Sequence, residues 1–232
     1  MDAELLLRCG CYFGGGTAIV LQNGEYRLSK DLDFLCAEVD GYRELRTIAV
    51  TQAAQGFFGP RIQLLREFKV DQYGLRAVLS LNGQPIKFEI VRESRIRLAG
   101  AIDPDLGLPT LSVESQFAEK LLANADRCLD RSVAYRDAID LGFLLSATDQ
   151  IPAESITAAE RAYGYHIRSQ IASVFGALSS HVEVDRAVCT LEMDRYATMA
   201  ALKRLRQASM VAWPDLQLAE LPRYDSRTSY NA

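Results

Sequence analysis

The chain has 232 residues, 49% of them hydrophobic and 24% charged, which is the composition of an ordinary globular protein. That length allows one large domain or two small ones, with a core that needs no disulfide or structural metal. The net charge of −4 argues against a protein that coats nucleic acid. The five cysteines show no paired spacing, which argues against a disulfide framework, and with only two histidines a zinc site is not expected either.

The N-terminal segment does not resemble a secretory signal. It begins Met1-Asp2-Ala3-Glu4, which is acidic and lacks the cationic stretch of a signal peptide. No apolar run approaches the ~20 residues that a membrane-spanning helix needs. We therefore expect a cytoplasmic protein without a membrane partner.

The first half of the chain alternates helical and strand patterns. Residues 1–34 predict a short helix, a glycine-rich turn and a strand that ends in Asp31-Leu32-Asp33-Phe34. A helix is predicted over residues 40–57, where Leu45, Ile48 and Ala49 recur on one face. A β-rich stretch follows, with a hairpin turn at Asn82-Gly83 and strands over residues 64–70, 75–81 and 86–91.

The second half is predicted to be helical. The turn-rich segment 103–109 marks the domain boundary. Helical periodicity then covers residues 114–128, 133–147, 153–178 and 184–210. The tail from Trp213 to Ala232 has few apolar repeats and is expected to be loosely ordered. The predicted fold class is α/β (α+β), a mixed sheet with flanking helices over residues 1–109 and a helical domain over residues 110–232.

Two acidic residues carry the chemical signal. Asp31 and Asp33 are two positions apart on the predicted strand, so their side chains point to the same face, while Leu32 and Phe34 point to the core. Two adjacent carboxylates repel each other unless a cation lies between them. Oxygen ligands of this kind suit Mg²⁺ shared with substrate phosphates. The pair therefore predicts a site for phosphoryl transfer.

A glycine run precedes this pair. Glycines at 14–16 let the backbone approach a polyphosphate, and a helix beginning at Gly16 or Thr17 would direct free N–H groups toward it. The Thr17 hydroxyl adds a further polar group. Either motif alone is common, since tight turns use glycine and solvated acids often occur in pairs. The occurrence of both motifs in one segment is a much more specific indication of a site that binds a metal and a polyphosphate.

Together these segments resemble a known signature. Gly15-Gly16-Thr17-Ala18 followed by Arg27-Leu28-Ser29-Lys30-Asp31-Leu32-Asp33-Phe34 is similar to the Gly-Gly-Thr-Ala … Arg-x-Ser-x-Asp-x-Asp-Phe pattern of the AbiEii (abortive infection) nucleotidyltransferase toxins of type IV toxin–antitoxin systems, in the DNA polymerase β-like superfamily. Further similarity lies in Glu119-Lys120-Leu121, Asp126-Arg127 and the segment from Arg136 to Leu141. The resemblance covers residues 10 to 147.

The resemblance implies a role for each matching residue. Catalytic residues would be Asp31, Asp33, Lys120 and Asp137, and nucleotide-binding residues would be Gly15, Gly16, Thr17, Arg27, Ser29, Lys120 and Arg136. Asp31 and Asp33 would hold the metal, Mg²⁺ or alternatively Mn²⁺. Asp140 is expected only to orient Arg127 or Arg136.

The superfamily usually carries a third carboxylate on a later strand. Glu89 is the candidate for this catalytic and metal-binding position, because Phe88 and Ile90 would face the core and leave Glu89 on the open face. A plain surface residue is the alternative interpretation of Glu89. Lys120 and Asp137 have similar alternatives, as a solvated lysine and as a helix-surface ion-pair partner.

The predicted activity is transfer of a nucleoside monophosphate from a nucleoside triphosphate to an acceptor hydroxyl. The resemblance implies an RNA acceptor, such as a tRNA 3′ end, a toxin of a phage-defence system and a cognate antitoxin partner. Residues 61–97 carry eight basic and four acidic side chains, and a solvated strand face or contact with a polyanion would explain them. Two alternatives stay open: a small-molecule (antibiotic-type) nucleotidyltransferase, and a non-catalytic nucleotide-binding or partner-binding protein of the same fold.

Overall fold

Within residues 1–224, seven strands form one mixed sheet. The computed structural model describes residues 1–224, and its strands are β1 (Cys11–Gly14), β2 (Leu32–Cys36), β3 (Gln63–Val70), β4 (Gly74–Leu81), β5 (Gln84–Arg92), β6 (Gly100–Ile102) and β7 (Pro109–Leu111). Their order in the sheet is β3-β4-β5-β2-β1-β7-β6. β2 pairs with β5, and β1 with β7, in parallel, while the remaining neighbours are antiparallel. The predicted mixed sheet with flanking helices is confirmed.

Helices surround the sheet and make up the second half of the chain. They are α1 (Ala3–Arg8), α2 (Gly15–Gln22), α3 (Val39–Thr51), α4 (Val113–Arg127), α5 (Arg136–Thr148), α6 (Ala153–Tyr163), α7 (His166–Leu178), α8 (His181–Leu191) and α9 (Arg195–Ala212), with 3-10 turns at Ala53–Gly56 and Arg131–Val133. No helix within residues 1–224 is long and apolar enough to cross a lipid bilayer.

Two hydrophobic clusters hold these elements together. The first lies on one face of the sheet under α1 and α3, and includes Phe34, Leu45, Phe88 and Ile90. As predicted, Phe34, Phe88 and Ile90 are buried, which leaves the opposite face of β2 and β5 open. The second cluster lies among α4 to α9. Burial of this apolar surface contributes roughly 25 cal/mol per Å² to folding.

Several predicted boundaries are wrong. β2 begins at Leu32 instead of ending near it, so Asp31 lies just before the strand. The helix predicted over 153–178 is broken at Gly164, whose φ of +58° is outside the helical region. The helix predicted over 184–210 ends at Glu192, which is also left-handed, and α9 restarts where the Asp194 side chain caps the Ala197 N–H at 2.8 Å.

The C-terminal segment is better packed than its composition predicts. Trp213 is buried, and its indole N–H donates to Glu160 at 2.9 Å. Leu216, Leu218 and Leu221 pack against the helical cluster. The prediction of a loosely ordered tail is therefore wrong for residues 213–224, because these apolar side chains pack against the helical cluster. The rest of that tail lies outside the described residues. The division at residue 109 stays a prediction, and β7 lies across it.

Candidate active site

A cavity of about 300 Å³ separates the open face of the sheet from α4. Most residues that the sequence predicts as site residues line it: Gly15, Gly16, Arg27, Ser29, Asp31, Asp33, Glu89, Lys120 and Arg136. They come from the start of α2, the segment before β2, the strands β2 and β5, and the helices α4 and α5. Thr17 and Asp137 do not reach the cavity wall.

Gly15 and Asp33 lie against each other at the floor of the cavity. Gly14 pairs with Asp33 across β1 and β2. Gly15 has a φ of +65°, and a Cβ atom placed there would lie 2.7 Å from Asp33 Oδ2. Only glycine meets both the backbone and the steric requirement. The turn thus brings the Asp33 carboxylate next to the N-terminus of α2, where backbone N–H groups lack helical partners.

Gly16 makes room for a buried guanidinium. A Cβ atom at Gly16 would clash with Nη2 of Arg27. Arg27 is buried and forms two hydrogen bonds to Asp140, from Nε at 2.8 Å and from Nη2 at 2.9 Å. The glycine run was predicted to make room for phosphate, but the missing side chains at 15 and 16 first accommodate Asp33 and Arg27.

The Thr17 hydroxyl is used inside the protein. Its Oγ1 atom lies 2.7 Å from Ser29 Oγ and donates to the carbonyl oxygen of Asp31 at 2.5 Å. The Thr17 side chain therefore fixes the segment that carries Asp31, instead of standing in the cavity as the sequence predicts. The start of α2 and the start of β2 are joined at this point.

The carboxylates of Asp31, Asp33 and Glu89 lie close together where the sheet borders the cavity. Burial raises the pKa of Asp33, and repulsion from Asp31 and Glu89 raises it further, while Lys120 and Arg136 oppose the shift. A cation bound between the acids would relieve this repulsion. The local charge therefore fits a divalent metal held by Asp31 and Asp33.

Glu89 is in the predicted place but has a protein partner. It lies opposite Asp33 on β5, and its Oε1 atom forms an ion pair with Nε of Arg76 on β4 at 2.6 Å. Within residues 1–224, no group of three or more His, Cys, Asp or Glu side chains is arranged as a metal site. The structure therefore does not arrange Asp31, Asp33 and Glu89 as three metal ligands, because Arg76 engages Glu89.

A buried network of charges stands behind Lys120. Its ammonium group lies 2.9 Å from Asp137 Oδ1 and 2.6 Å from Asp140 Oδ2. Asp140 also accepts from Arg27 and from the Tyr26 hydroxyl, and Asp137 accepts two hydrogen bonds from Arg127. The expectation that Asp140 orients Arg127 or Arg136 is wrong: it holds Arg27 and Lys120 instead.

This network fixes the charge state of its acids. Burial alone would raise the pKa of Asp140, but Lys120 and Arg27 hold it below the ordinary aspartate value. The pKa of Asp137 is lowered in the same way, by Lys120 and Arg127 against the effect of burial. A lysine ammonium has three N–H donors. Among the described residues, Lys120 donates a hydrogen bond to Asp137 and forms an ion pair with Asp140, so an N–H donor stays available to a ligand in the cavity.

Arg136 is the cationic residue best placed for an anion. It lines the cavity at the start of α5, close enough to Asp33 to lower its pKa. In the part of the chain that the structure describes, its guanidinium forms no salt bridge, in contrast to those of Arg27 and Arg127. Its hydrogen-bond donors are therefore free for phosphate oxygens.

A second polar wall of the cavity is formed by residues to which the sequence assigned no role in the site. Arg95, Glu119 and Asp126 line it. Arg95 is fully occupied, since its guanidinium contacts Glu93 at 2.6 Å, Asp126 at 3.1 Å and the Tyr163 hydroxyl at 3.1 Å. Glu93 and Arg95 are two positions apart in the sequence. No local pattern indicated that Arg95 would also contact Asp126 and Tyr163, which lie more than 30 and more than 60 residues later in the chain.

Glu119 and Glu93 face each other in this wall. Burial and the neighbouring Glu93 raise the pKa of Glu119 well above its ordinary value. The pKa of Glu93 is lowered, because Arg95 outweighs the effect of burial. Glu119 Oε1 is buried and receives no hydrogen bond from any described residue. The proton that this pair shares is therefore held more tightly by Glu119 than by Glu93.

Replacing Glu119 by glutamine is expected to change the pH dependence of stability. The folded protein keeps a proton on Glu119 that the unfolded chain releases near pH 4.3, about the ordinary glutamate pKa. Stability therefore falls as pH rises from that point through the raised folded pKa. Glu119→Gln removes this contribution, so its thermal midpoint relative to wild type should rise between pH 5 and pH 8. Parallel midpoint curves would contradict the assignment.

Gly15→Ala is expected to reduce activity by about a hundredfold, since moving a reacting group by ~1 Å has effects of that size. The added methyl group would push Asp33 away, and the left-handed backbone would cost about 1 kcal/mol of stability. Gly24→Ala is the matched control, because Gly24 has a φ of +78° and open space around its Cα. Equal activity of the two variants in a nucleotide-transfer assay would contradict the role of the Gly15–Asp33 contact.

Comparisons with known proteins show which family the chain matches. A family model described as "Nucleotidyl transferase AbiEii toxin, Type IV TA system" matches residues 2–212. The crystal structure of JHP933 from Helicobacter pylori has a TM-score of 0.49 and 18% identity, covering 90% of this chain and 88% of that one. An antigenic nucleotidyltransferase-like protein from Paracoccidioides brasiliensis has a TM-score of 0.45 and 18% identity, covering 74% of this chain and 87% of that one. None of the curated proteins compared matches the sequence.

Proposed function

Since the chain belongs to the AbiEii family of nucleotidyltransferase toxins of type IV toxin–antitoxin systems, we propose that it transfers a nucleoside monophosphate from a nucleoside triphosphate to a hydroxyl of an RNA. The proposal further assigns it a phage-defence role in the cytoplasm and a cognate antitoxin as partner. Family membership supports the toxin and transferase assignments, and the RNA acceptor follows from the resemblance of the motifs.

One observation carries the proposal. Asp33 lies directly against Gly15 at the start of α2, in the same cavity as Lys120 and Arg136. Carboxylates that attract a cation, backbone N–H groups that attract an anion, and two cationic side chains thus face one space. A metal-bound triphosphate has this alternation of charge, which supports its assignment as the substrate.

Asp31 and Asp33 are the residues that would hold Mg²⁺. Mg²⁺ in proteins is commonly bound through one or two carboxylates, with substrate phosphates and water completing its shell. Two acids are therefore enough, and the pairing of Glu89 with Arg76 does not weaken the fit. When bound, the metal neutralises charge on the phosphates and polarises them toward attack.

The chain's own residues then position the reactants. The N–H groups at the start of α2 donate to phosphate oxygens, and Arg136 adds a guanidinium. Lys120, held by Asp137 and Asp140, directs its remaining N–H toward the departing pyrophosphate. Glu89, at the cavity wall, is assigned to accept the proton of the attacking hydroxyl. Such preorganised charges cost no reorganisation during the reaction.

Incubation with each α-labelled nucleoside triphosphate, Mg²⁺ and total cellular RNA tests this function. We expect label on a discrete RNA with at least one nucleotide, and none when EDTA replaces Mg²⁺. Gel electrophoresis and scintillation counting give the readout. Unlabelled RNA with all four nucleotides would contradict the RNA acceptor and favour the small-molecule nucleotidyltransferase.

A further inference from the structure

The open face of the sheet carries a row of basic side chains beyond the cavity. We call Arg66, Lys69, Arg76 and Lys87, on β3, β4 and β5, the basic strip. Residues paired across adjacent strands point to the same face of a sheet. Glu89 pairs with Arg76, and Arg76 pairs with Lys69, while Lys87 pairs with Val78, which pairs with Arg66. All four cations therefore share the face that carries Glu89.

The basic strip begins where the cavity ends. Asp33 on β2 is the partner of Glu89 on β5, so one row across the sheet reads Asp33, Glu89, Arg76, Lys69. Neighbouring strands are about 4.8 Å apart, so this row extends roughly 14 Å from Asp33 to the edge strand β3. The strip is therefore continuous with the proposed site of phosphoryl transfer.

Most of the strip's charge is available to a ligand. Arg66, Lys69 and Lys87 are exposed, and no ion pair involves them within the part of the chain that the structure describes. Arg76 is partly neutralised by Asp71 at 3.0 Å and by Glu89 at 2.6 Å. Arg66, Lys69 and Lys87 carry like charges on one face without an ion-pair partner among the described residues, and such side chains repel one another. A polyanion laid across them would remove this repulsion.

We propose that the basic strip binds the sugar–phosphate backbone of the acceptor RNA and leads its terminal hydroxyl into the cavity. This inference rests on the proposed function and adds the surface that the acceptor uses. An acidic protein could also meet such charges. RNA is favoured because the strip ends at the proposed Mg²⁺ ligands, where an acceptor strand must end as well. The contacts would be to phosphates, and so independent of sequence.

RNA binding without nucleotide tests the proposal directly. Bulk transfer RNA is titrated with wild-type protein and with the double variant Lys69→Gln/Lys87→Gln in a filter-binding assay at several salt concentrations. Each lost phosphate contact lowers the salt slope by about 0.7 for single strands and about 0.9 for duplex. We therefore expect the slope to fall by about 1.4 to 1.8, and affinity at 0.1 M salt to fall roughly 25- to 60-fold.

The matched control removes the same charge from the other side of the molecule. Arg43 and Arg46 are exposed on α3, which packs on the opposite face of the sheet through Tyr42 and Leu45. Arg43→Gln/Arg46→Gln should leave both affinity and salt slope near the wild-type values. Equal loss in both double variants would show a general charge effect and overturn the proposal.

The results of these experiments distinguish a failure of the basic strip as an RNA surface from a failure of the proposed transferase function. Wild-type protein that binds no RNA, or a strip variant that binds as tightly as wild type, would overturn the basic strip as an RNA surface. In that case, weakened binding of an acidic protein to the variant would identify a protein-docking surface. RNA binding with the predicted salt slopes but without label transfer would instead contradict the transferase activity alone.

Discussion

Asp33→Asn is expected to lower the rate of nucleotide transfer by at least about a thousandfold, which corresponds to roughly 4 kcal/mol of transition-state stabilisation. Asparagine keeps the shape of the side chain against Gly15 but removes the charge that attracts the metal. Asp33→Ala should have an effect at least as large. The readout is the initial rate of label transfer at saturating Mg²⁺ and nucleotide.

The same substitution should not destabilise the fold. Burial and the repulsion from Asp31 and Glu89 already disfavour the ionised form of Asp33, so a neutral residue relieves a cost of the folded state. The thermal midpoint of Asp33→Asn is therefore expected to equal or exceed that of wild type, as often occurs when a catalytic residue is removed. Asp105→Asn, in an exposed turn, is the control and should change neither the transfer rate nor the thermal midpoint. Wild-type turnover by Asp33→Asn would contradict the assignment.

Asp140→Ala is expected to reduce the free energy of unfolding by about 3 to 5 kcal/mol, the range found when one partner of a buried ion pair is removed. The variant leaves Arg27 buried without its carboxylate and removes one of the two partners of Lys120. The Tyr26 hydroxyl also loses its acceptor at 2.6 Å. Urea unfolding at neutral pH measures the change.

An exposed ion pair provides the control for Asp140. Asp40 pairs with Arg43 at 2.6 Å on α3, and both side chains are largely exposed. Exposed pairs contribute about 0 to 1 kcal/mol, so Asp40→Ala should have little effect on unfolding. A loss below about 1 kcal/mol for Asp140→Ala would show that water or other groups replace its carboxylate, and the network would not hold Lys120 in place.

Local patterns predict those parts of the site that depend on one strand or one turn. The alternation of side chains along β2 and β5 correctly placed Phe34, Phe88 and Ile90 in the core and left the acids on the open face. Asn82-Gly83 correctly predicted the hairpin between β4 and β5, since asparagine and glycine accept the left-handed backbone there.

The partner of Asp140 was not predictable from the sequence. Asp140 meets Arg27, more than a hundred residues earlier in the chain, because α5 packs against α2 and Arg27 lies in the loop that follows α2. That contact depends on tertiary packing, which no local spacing encodes. The pairing of Arg76 with Glu89 is different, because the two-residue turn at Asn82-Gly83 fixes the register between β4 and β5. The helix breaks illustrate both cases: Gly164 is a recognisable breaker, whereas the left-handed Glu192 has no local signal.

A crystal structure with Mn²⁺ and a non-hydrolysable nucleoside triphosphate tests most directly whether the charges in the cavity bind a metal–nucleotide complex. We predict an anomalous Mn²⁺ peak within bonding distance of Asp31 and Asp33 carboxylate oxygens. The phosphates should accept hydrogen bonds from the backbone N–H groups at the start of α2 and from Arg136. A nucleotide bound elsewhere, or a metal that contacts neither aspartate, would contradict the account.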